Sequence, residues 1–143
     1  MAQRVVVRQD IDFETEFLAQ AEKGELRIVE NIRDIDPYGM LLAGLGACAA
    51  VAVNTYARYH GVPLKEAEFR LSYERTFKKD CERCEDIRRY DEKIMMAVSF
   101  SGELTDEQRQ KLFRISLQCP IHKMFEDGIG VKTWLEKEVL GKK

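Results

Sequence analysis

The chain lacks an excess of charge of either sign. Its 23 Lys and Arg residues face 25 Asp and Glu over 143 residues, a formal net charge of -2, and the two signs are interleaved. That balance gives no footing for a nucleic-acid surface or a polybasic membrane patch. A long hydrophobic run is missing as well. The longest apolar stretch, Met40 to Val53, falls short of the roughly 20 residues that span a bilayer. The N-terminal valines stand among Arg4, Arg8 and Asp10, which is no secretory signal. Repeats, linkers and low-complexity segments are absent too, so residues 1–143 are expected to form a single domain. The expected compartment is the cytoplasm. Cysteine is scarce, with four in the chain. In that compartment they read as reactive or metal-binding thiols before they read as a disulfide framework.

What is present alternates between two periodicities. "RVVVRQD" and "GELRIVENI" are rich in β-branched residues and predict strands, with "FETEFLAQA" between them completing an antiparallel meander. From Pro37 to about His60 the composition turns to Ala, Leu, Met and Gly, far too long for a strand, and "HGVP" ends it. Pro37 suits a first helical turn and Asp36 suits its N-cap. This helix is apolar nearly all round through Val53 and should be buried on most faces. Close packing against another backbone is a reason for it to tolerate Gly39, Gly44 and Gly46. "EAEFRLSYERTF" alternates as a half-buried strand, and "KIMMAVSFSG" follows as another. "LTDEQRQKLFRISLQ" starts on Thr105 and Gln108, spaced as a capping box, with Leu112, Ile115 and Leu117 as its apolar stripe. A short helical turn begins at Pro120, and "IGVKTWLEKEV" reads as a last strand or an amphipathic helix, with the strand preferred. The order of strands, helix, strands, helix and strand is an α+β class. A helix apolar on nearly every side needs more cover than these elements supply, which predicts a homodimer.

Cys48 sits in "LLAGLGACAA", an apolar setting that suits a small buried hydrophobe and raises a thiol pKa unless a cation arrives from elsewhere. Cys119 precedes Pro120 and so falls at the N-cap of a helical turn. There the helix dipole favours the thiolate, with His122 and Lys123 in the same turn able to help. A cysteine filling a gap at a helix break is the plain alternative. His60 belongs to a helix-ending turn, and Trp134 to the core or a dimer contact.

Taken together, "PYGMLLAGLGAC" and "QCPIHKMFE" resemble the OsmC/Ohr family, nearer its less characterised OsmC-like branches than Ohr itself. The element order extends the resemblance over the whole chain. It implies an OsmC-like α+β fold, with antiparallel sheets wrapped around two central helices in an intertwined dimer. It also implies a thiol-dependent peroxidase for organic hydroperoxides, with Cys48 peroxidatic and Cys119 resolving, re-reduced by an external dithiol and using no cofactor. Two departures stand out. Where the family carries a glutamate after the helix-starting proline, this chain has Tyr38 and Gly39. The family's activating arginine is matched in spacing by Arg27, with Arg33, Arg8 and Arg4 as rivals.

Two further readings stand beside this one. Cys81 and Cys84 in "DCERC" have the spacing of half a zinc site, so the protein could be a metal- or small-ligand-binding relative without turnover. They can equally be an auxiliary redox pair or structurally indifferent. The redox assignment ranks above zinc because no histidine or second cysteine pair lies nearby to complete four ligands. A scaffold holding a small apolar molecule is the third.

Overall fold

The computed structural model describes residues 2–21, 23–77 and 90–136. Five strands form one antiparallel sheet; one helix packs on it, and two further helices pack against that helix. The strands are β1 (Ala2–Asp10), β2 (Thr15–Gln20), β3 (Leu26–Ile28), β4 (Leu64–Phe77) and β5 (Tyr90–Gly102), in the spatial order β3-β2-β1-β4-β5. The helices are α1 (Pro37–His60), α2 (Asp106–Ser116) and α3 (Pro120–Asp127).

The N-terminal meander forms as its valine-rich pattern predicts. Val5 and Val7 face the helices and are buried, while Arg8 faces away. Its register places Arg8 opposite Glu16 on β2 and Glu68 on β4. Both carboxylates take it up, at 2.9 Å and 2.7 Å. In β4 the alternation is as regular: Ala67, Phe69, Leu71 and Tyr73 are buried, and Glu66 and Arg70 are exposed.

α1 begins where Asp36 accepts a 2.7 Å hydrogen bond from the Gly39 amide, with Pro37 in the first turn. It ends at Gly61, whose φ of 64° is the left-handed conformation that glycine takes without a Cβ penalty. Leu42, Leu45, Gly46, Ala49, Ala50, Val53, Asn54 and Ala57 form its buried stripe on β1 and β4. Met40, Leu41 and Val51, on its other sides, stay exposed. One chain therefore covers a stripe of this helix and not most of its faces. By length and composition α1 is also apolar enough to cross a bilayer, longer than the run Met40–Val53 suggests by itself. Its stripe of contacts with the sheet is that of a core helix.

The glycines of α1 differ in their reasons. A Cβ at Gly46 would lie 2.7 Å from Val7 Cγ2 and 2.9 Å from Leu71 Cδ1, so the close approach there is to strand side chains rather than to a backbone. Gly44 meets nothing in its own chain. We expect Gly46→Val to lower stability by about 1–3 kcal/mol through overpacking, read as a lower urea midpoint at unchanged slope.

Asn54 is wholly buried on α1, and its amide donates to Gln9 Oε1 at 3.0 Å and to the Ala50 carbonyl at 3.2 Å. Gln9, also buried, donates in turn to Thr15 Oγ1 at 2.8 Å. A polar chain thus joins α1 to β1 and the start of β2.

α2 carries the reciprocal capping box read from Thr105 and Gln108. Leu112 is buried and Ile115 half-buried, but Leu117 is exposed and outside the stripe. The last assignment fails over the described residues. From Gly128 to Glu136 the chain forms no strand, and Ile129, Val131, Trp134 and Leu135 are exposed. No described strand pairs with this segment, and Trp134 is exposed rather than part of the described core.

Candidate active site

Cys48 projects from the middle of α1 and is half-buried, while Cys119 is 1% exposed at the N-cap of α3. Both are free thiols. The fold brings them together: the Cys48 side chain lies within hydrogen-bonding reach of Cys119 and acts on its ionisation. The Cys119 sulfur also accepts the His122 amide at 3.3 Å, the N-cap geometry read from Cys-Pro.

The expected consequence of that cap is corrected. Burial pushes the Cys119 thiol up to about 11, and the neighbouring Cys48 sulfur adds to the rise. The amides of His122 and Ile121 pull the other way and are outweighed. A helix N-terminus stabilises an anion by fractions of a kcal/mol to about 2 kcal/mol, and removal from water overrides that here. Cys119 therefore keeps its proton at neutral pH. An acid raised in the folded state contributes stability that is whole below its unfolded value and lost as pH rises through the folded one. The loss falls between about pH 9 and about pH 11. We expect Cys119→Ala to remove roughly 2–3 kcal/mol of alkaline destabilisation over that window, measured by denaturant unfolding against pH.

A cavity of about 550 Å³ opens along the N-terminal half of α1. Neither sulfur lines it. It is bounded by Leu45, one helical turn before Cys48, and by His122, three residues after Cys119. Leu41, Leu42, Ile94, Met96 and Phe113 make most of its wall apolar. Polar groups gather at two places. Tyr38 stacks on Tyr73 with ring centroids 4.8 Å apart, and the Tyr73 hydroxyl donates to Glu92 at 3.3 Å. Burial, then the Glu92 charge, pushes the Tyr73 hydroxyl upward in pKa. The Arg75 guanidinium lies 5.8 Å from the Tyr38 ring. At the second place, His122 Nδ1 lies 3.2 Å from Glu126 Oε1.

The arginines matched by spacing lie elsewhere in the chain. Arg27, on β3, is largely exposed and pairs with Glu25 at 3.2 Å. It lines a separate depression of about 720 Å³ beside β2 and β3, with Glu30 and Asp34. Arg8 is held by its two glutamates on the far face of the sheet, and Arg4 donates to the Gly24 carbonyl. Arg33 is exposed in the short 3-10 turn Ile32–Asp34. Cys81 and Cys84 lie outside the described residues. Among the described residues no three His, Cys, Asp or Glu side chains converge as a metal-ligand set.

The sequence reading missed the Tyr73–Glu92 contact and the His122–Glu126 pair. The second had a signal, since histidine and glutamate four residues apart share one helix face. Glu92 had none, because its partner comes from the facing strand.

The family model described as OsmC-like protein matches residues 30–133. No curated protein sequence matches significantly. Among solved structures, an OsmC-like hydroperoxide resistance protein from Jannaschia sp. CCS1 aligns with a TM-score of 0.60. It is 12% identical, over 99% of this chain and 96% of that one. A candidate osmotic stress induced and detoxification response protein from Psychrobacter arcticus 273-4 aligns at a TM-score of 0.43 and 16% identity. There the coverage is 76% of this chain and 77% of that one. With the family model covering most of the described helices and both cysteine segments, the chain belongs to the OsmC-like family.

Proposed function

We propose that the protein is a thiol-dependent peroxidase that reduces organic hydroperoxides in oxidative stress defence. The observation that carries the reading is a pair of free thiols within reach of each other; Leu45 and His122, which lie three residues from them in sequence, line a largely apolar cavity. The Cys48 thiolate attacks one peroxide oxygen, the O–O bond breaks, and the alkoxide leaves with a proton as the alcohol. Cys48 is left as a sulfenic acid. The Cys119 sulfur then attacks that sulfur, water departs, and the Cys48–Cys119 disulfide remains for an external dithiol to reduce. An apolar wall favours an alkyl hydroperoxide over hydrogen peroxide. The protein works in the cytoplasm as a homodimer, without cofactor. Arg27 enters this scheme only from a second copy, because within one chain it lines the other depression.

Stopped-flow oxidation of the reduced protein by cumene hydroperoxide and by hydrogen peroxide tests the reading. We expect two thiols lost per equivalent of peroxide, faster with the organic substrate. Thiols that persist through excess of both reagents would sink it.

A smaller observation favours ligand binding without turnover: the cavity is lined by neither sulfur. Metal content of the purified protein, with thiol counts before and after peroxide, separates that reading, including a metal held by Cys81 and Cys84, from the first.

The exposed side chains of Leu41, Val51, Trp134 and Leu135 are the surface a second copy covers in this scheme. Sedimentation equilibrium at micromolar concentration is expected to give twice the chain mass. A single-chain mass there is the contrary result.

A further inference from the structure

The cavity along the N-terminal half of α1 has an apolar wall and a polar lining in which carboxylates outnumber cations. At about 550 Å³ it has the room of a small organic ligand. Glu92 from β5 and Glu126 from α3 both border it, and both are exposed residues. An ionised carboxylate only accepts hydrogen bonds. Glu92 receives the Tyr73 hydroxyl at 3.3 Å. Glu126 Oε1 lies 3.2 Å from His122 Nδ1 with no hydrogen bond between them, and that nitrogen is buried without a partner among the described residues.

The fixed cations nearby are fewer and turned to other groups. Among the described residues Lys93 is the one lysine or arginine in the lining, and its ammonium lies 3.8 Å from Glu74. The Arg75 guanidinium lies 5.8 Å from the Tyr38 ring, and Arg75 is not part of the lining. A ligand that fills the apolar space therefore brings its polar end to acceptors more than to donors. An ammonium offers those acceptors N–H groups and an opposite charge, the stronger kind of hydrogen bond. A carboxylate offers no donor and sets a like charge beside Glu92 or Glu126. Between apolar walls that repulsion is screened less than on an open surface.

We propose that this cavity binds amphiphiles with an apolar body and a cationic, hydrogen-bond-donating end, and that it turns carboxylates away. Glu92 and Glu126 are the residues that set this choice, and the apolar wall takes the body of the ligand without regard to its charge. The consequence for substrates rests on the peroxidase reading: hydroperoxides that carry a carboxylate are the poor ones, and their uncharged esters are the better ones. Binding itself is measurable apart from turnover.

Isothermal titration of the reduced full chain compares three probes that share one alkyl chain: octylammonium, 1-octanol and octanoate, at neutral pH and low salt. Octylammonium should bind about tenfold more tightly than octanoate, with 1-octanol between them, and added salt should narrow the gap. In Glu92→Gln/Glu126→Gln the gap should shrink to about threefold or less while 1-octanol binds as before, which shows that the cavity is intact. Both substitutions keep the shape of an exposed side chain, so the variant is expected to fold. Octanoate binding as tightly as octylammonium overturns the proposal. So does a gap that survives both substitutions, or no heat with any of the three probes. Consumption of linoleic acid hydroperoxide and of its methyl ester separates this inference from the reading beneath it. Turnover that is equal for the two, or faster with the acid, overturns the selection by charge and leaves the peroxidase standing. The expected binding order in a protein that ignores both hydroperoxides upholds the site and overturns the peroxidase reading instead.

Discussion

Cys48→Ser is expected to abolish hydroperoxide consumption, and Cys119→Ser to consume one equivalent and stop. The first variant lacks the one described thiol that is not buried, since Cys119 is buried and holds its proton. A serine hydroxyl does not open an O–O bond at neutral pH, because the thiolate is the reactive species. The loss should be at least a thousandfold, down to the uncatalysed rate. In the second variant the sulfenic acid forms without the Cys119 thiol that condenses with it. It is expected to accumulate as one dimedone adduct per chain and, under excess peroxide, to advance to the sulfinic acid. Both rates come from following peroxide by coupled oxidation of a dithiol. Turnover in Cys48→Ser within tenfold of the parent would falsify the assignment of Cys48.

The largest effect on folding is expected at Phe69. This side chain is wholly buried in β4, opposite Val7 on β1 and Val98 on β5, in the part of the sheet that α1 covers. Phe69→Ala removes most of a ring and leaves a cavity between strands that the sheet hydrogen bonds hold in place. The cost is about 3–5 kcal/mol. For a domain of this length each kcal/mol moves the midpoint by roughly 2–4 °C, so Tm should fall by about 10 °C. Arg70→Ala is the internal control. Its neighbouring side chain points the other way, is largely exposed, and sits 3.7 Å from Glu68, a surface pair worth well under about 1 kcal/mol. Comparable losses in the two variants would mean that the sheet does not have the two-faced register described above.

The elements legible in the sequence are those fixed by local chemistry. Asp36 and Pro37 mark the start of α1 and Gly61 its end because capping involves neighbours within four residues. Thr105 and Gln108 specify α2 in the same way. The alternation through Phe69, Leu71 and Tyr73 shows which face of β4 is buried, since a strand turns its side chains over at every step. What could not be read is decided by what folds against what. Cys119 has the N-cap position its sequence suggests, yet burial beneath α1, which no local pattern encodes, reverses the expected direction of its ionisation. Arg27 matched a spacing, but the sheet order puts it on the outermost strand, where only Glu25 engages it. The Trp134 segment, expected as a strand, has no partner among the described strands.

The buried amides of Asn54 and Gln9 have an effect on the thiols that neither touches. Apolar contacts carry no directional bond, and a roll of an α-helix by one residue turns every side chain by about 100°. Such a roll would carry Cys48 away from Cys119. Asn54 lies on the same helix six residues beyond Cys48, and its amide is satisfied by Gln9 only at one rotational setting. Any other setting breaks that bond and leaves Gln9 Oε1 without its partner in the interior, at about 1–3 kcal/mol. The pair thus works as an angular index, a polar detent that sets the phase of the helix and with it the direction in which the sulfur points.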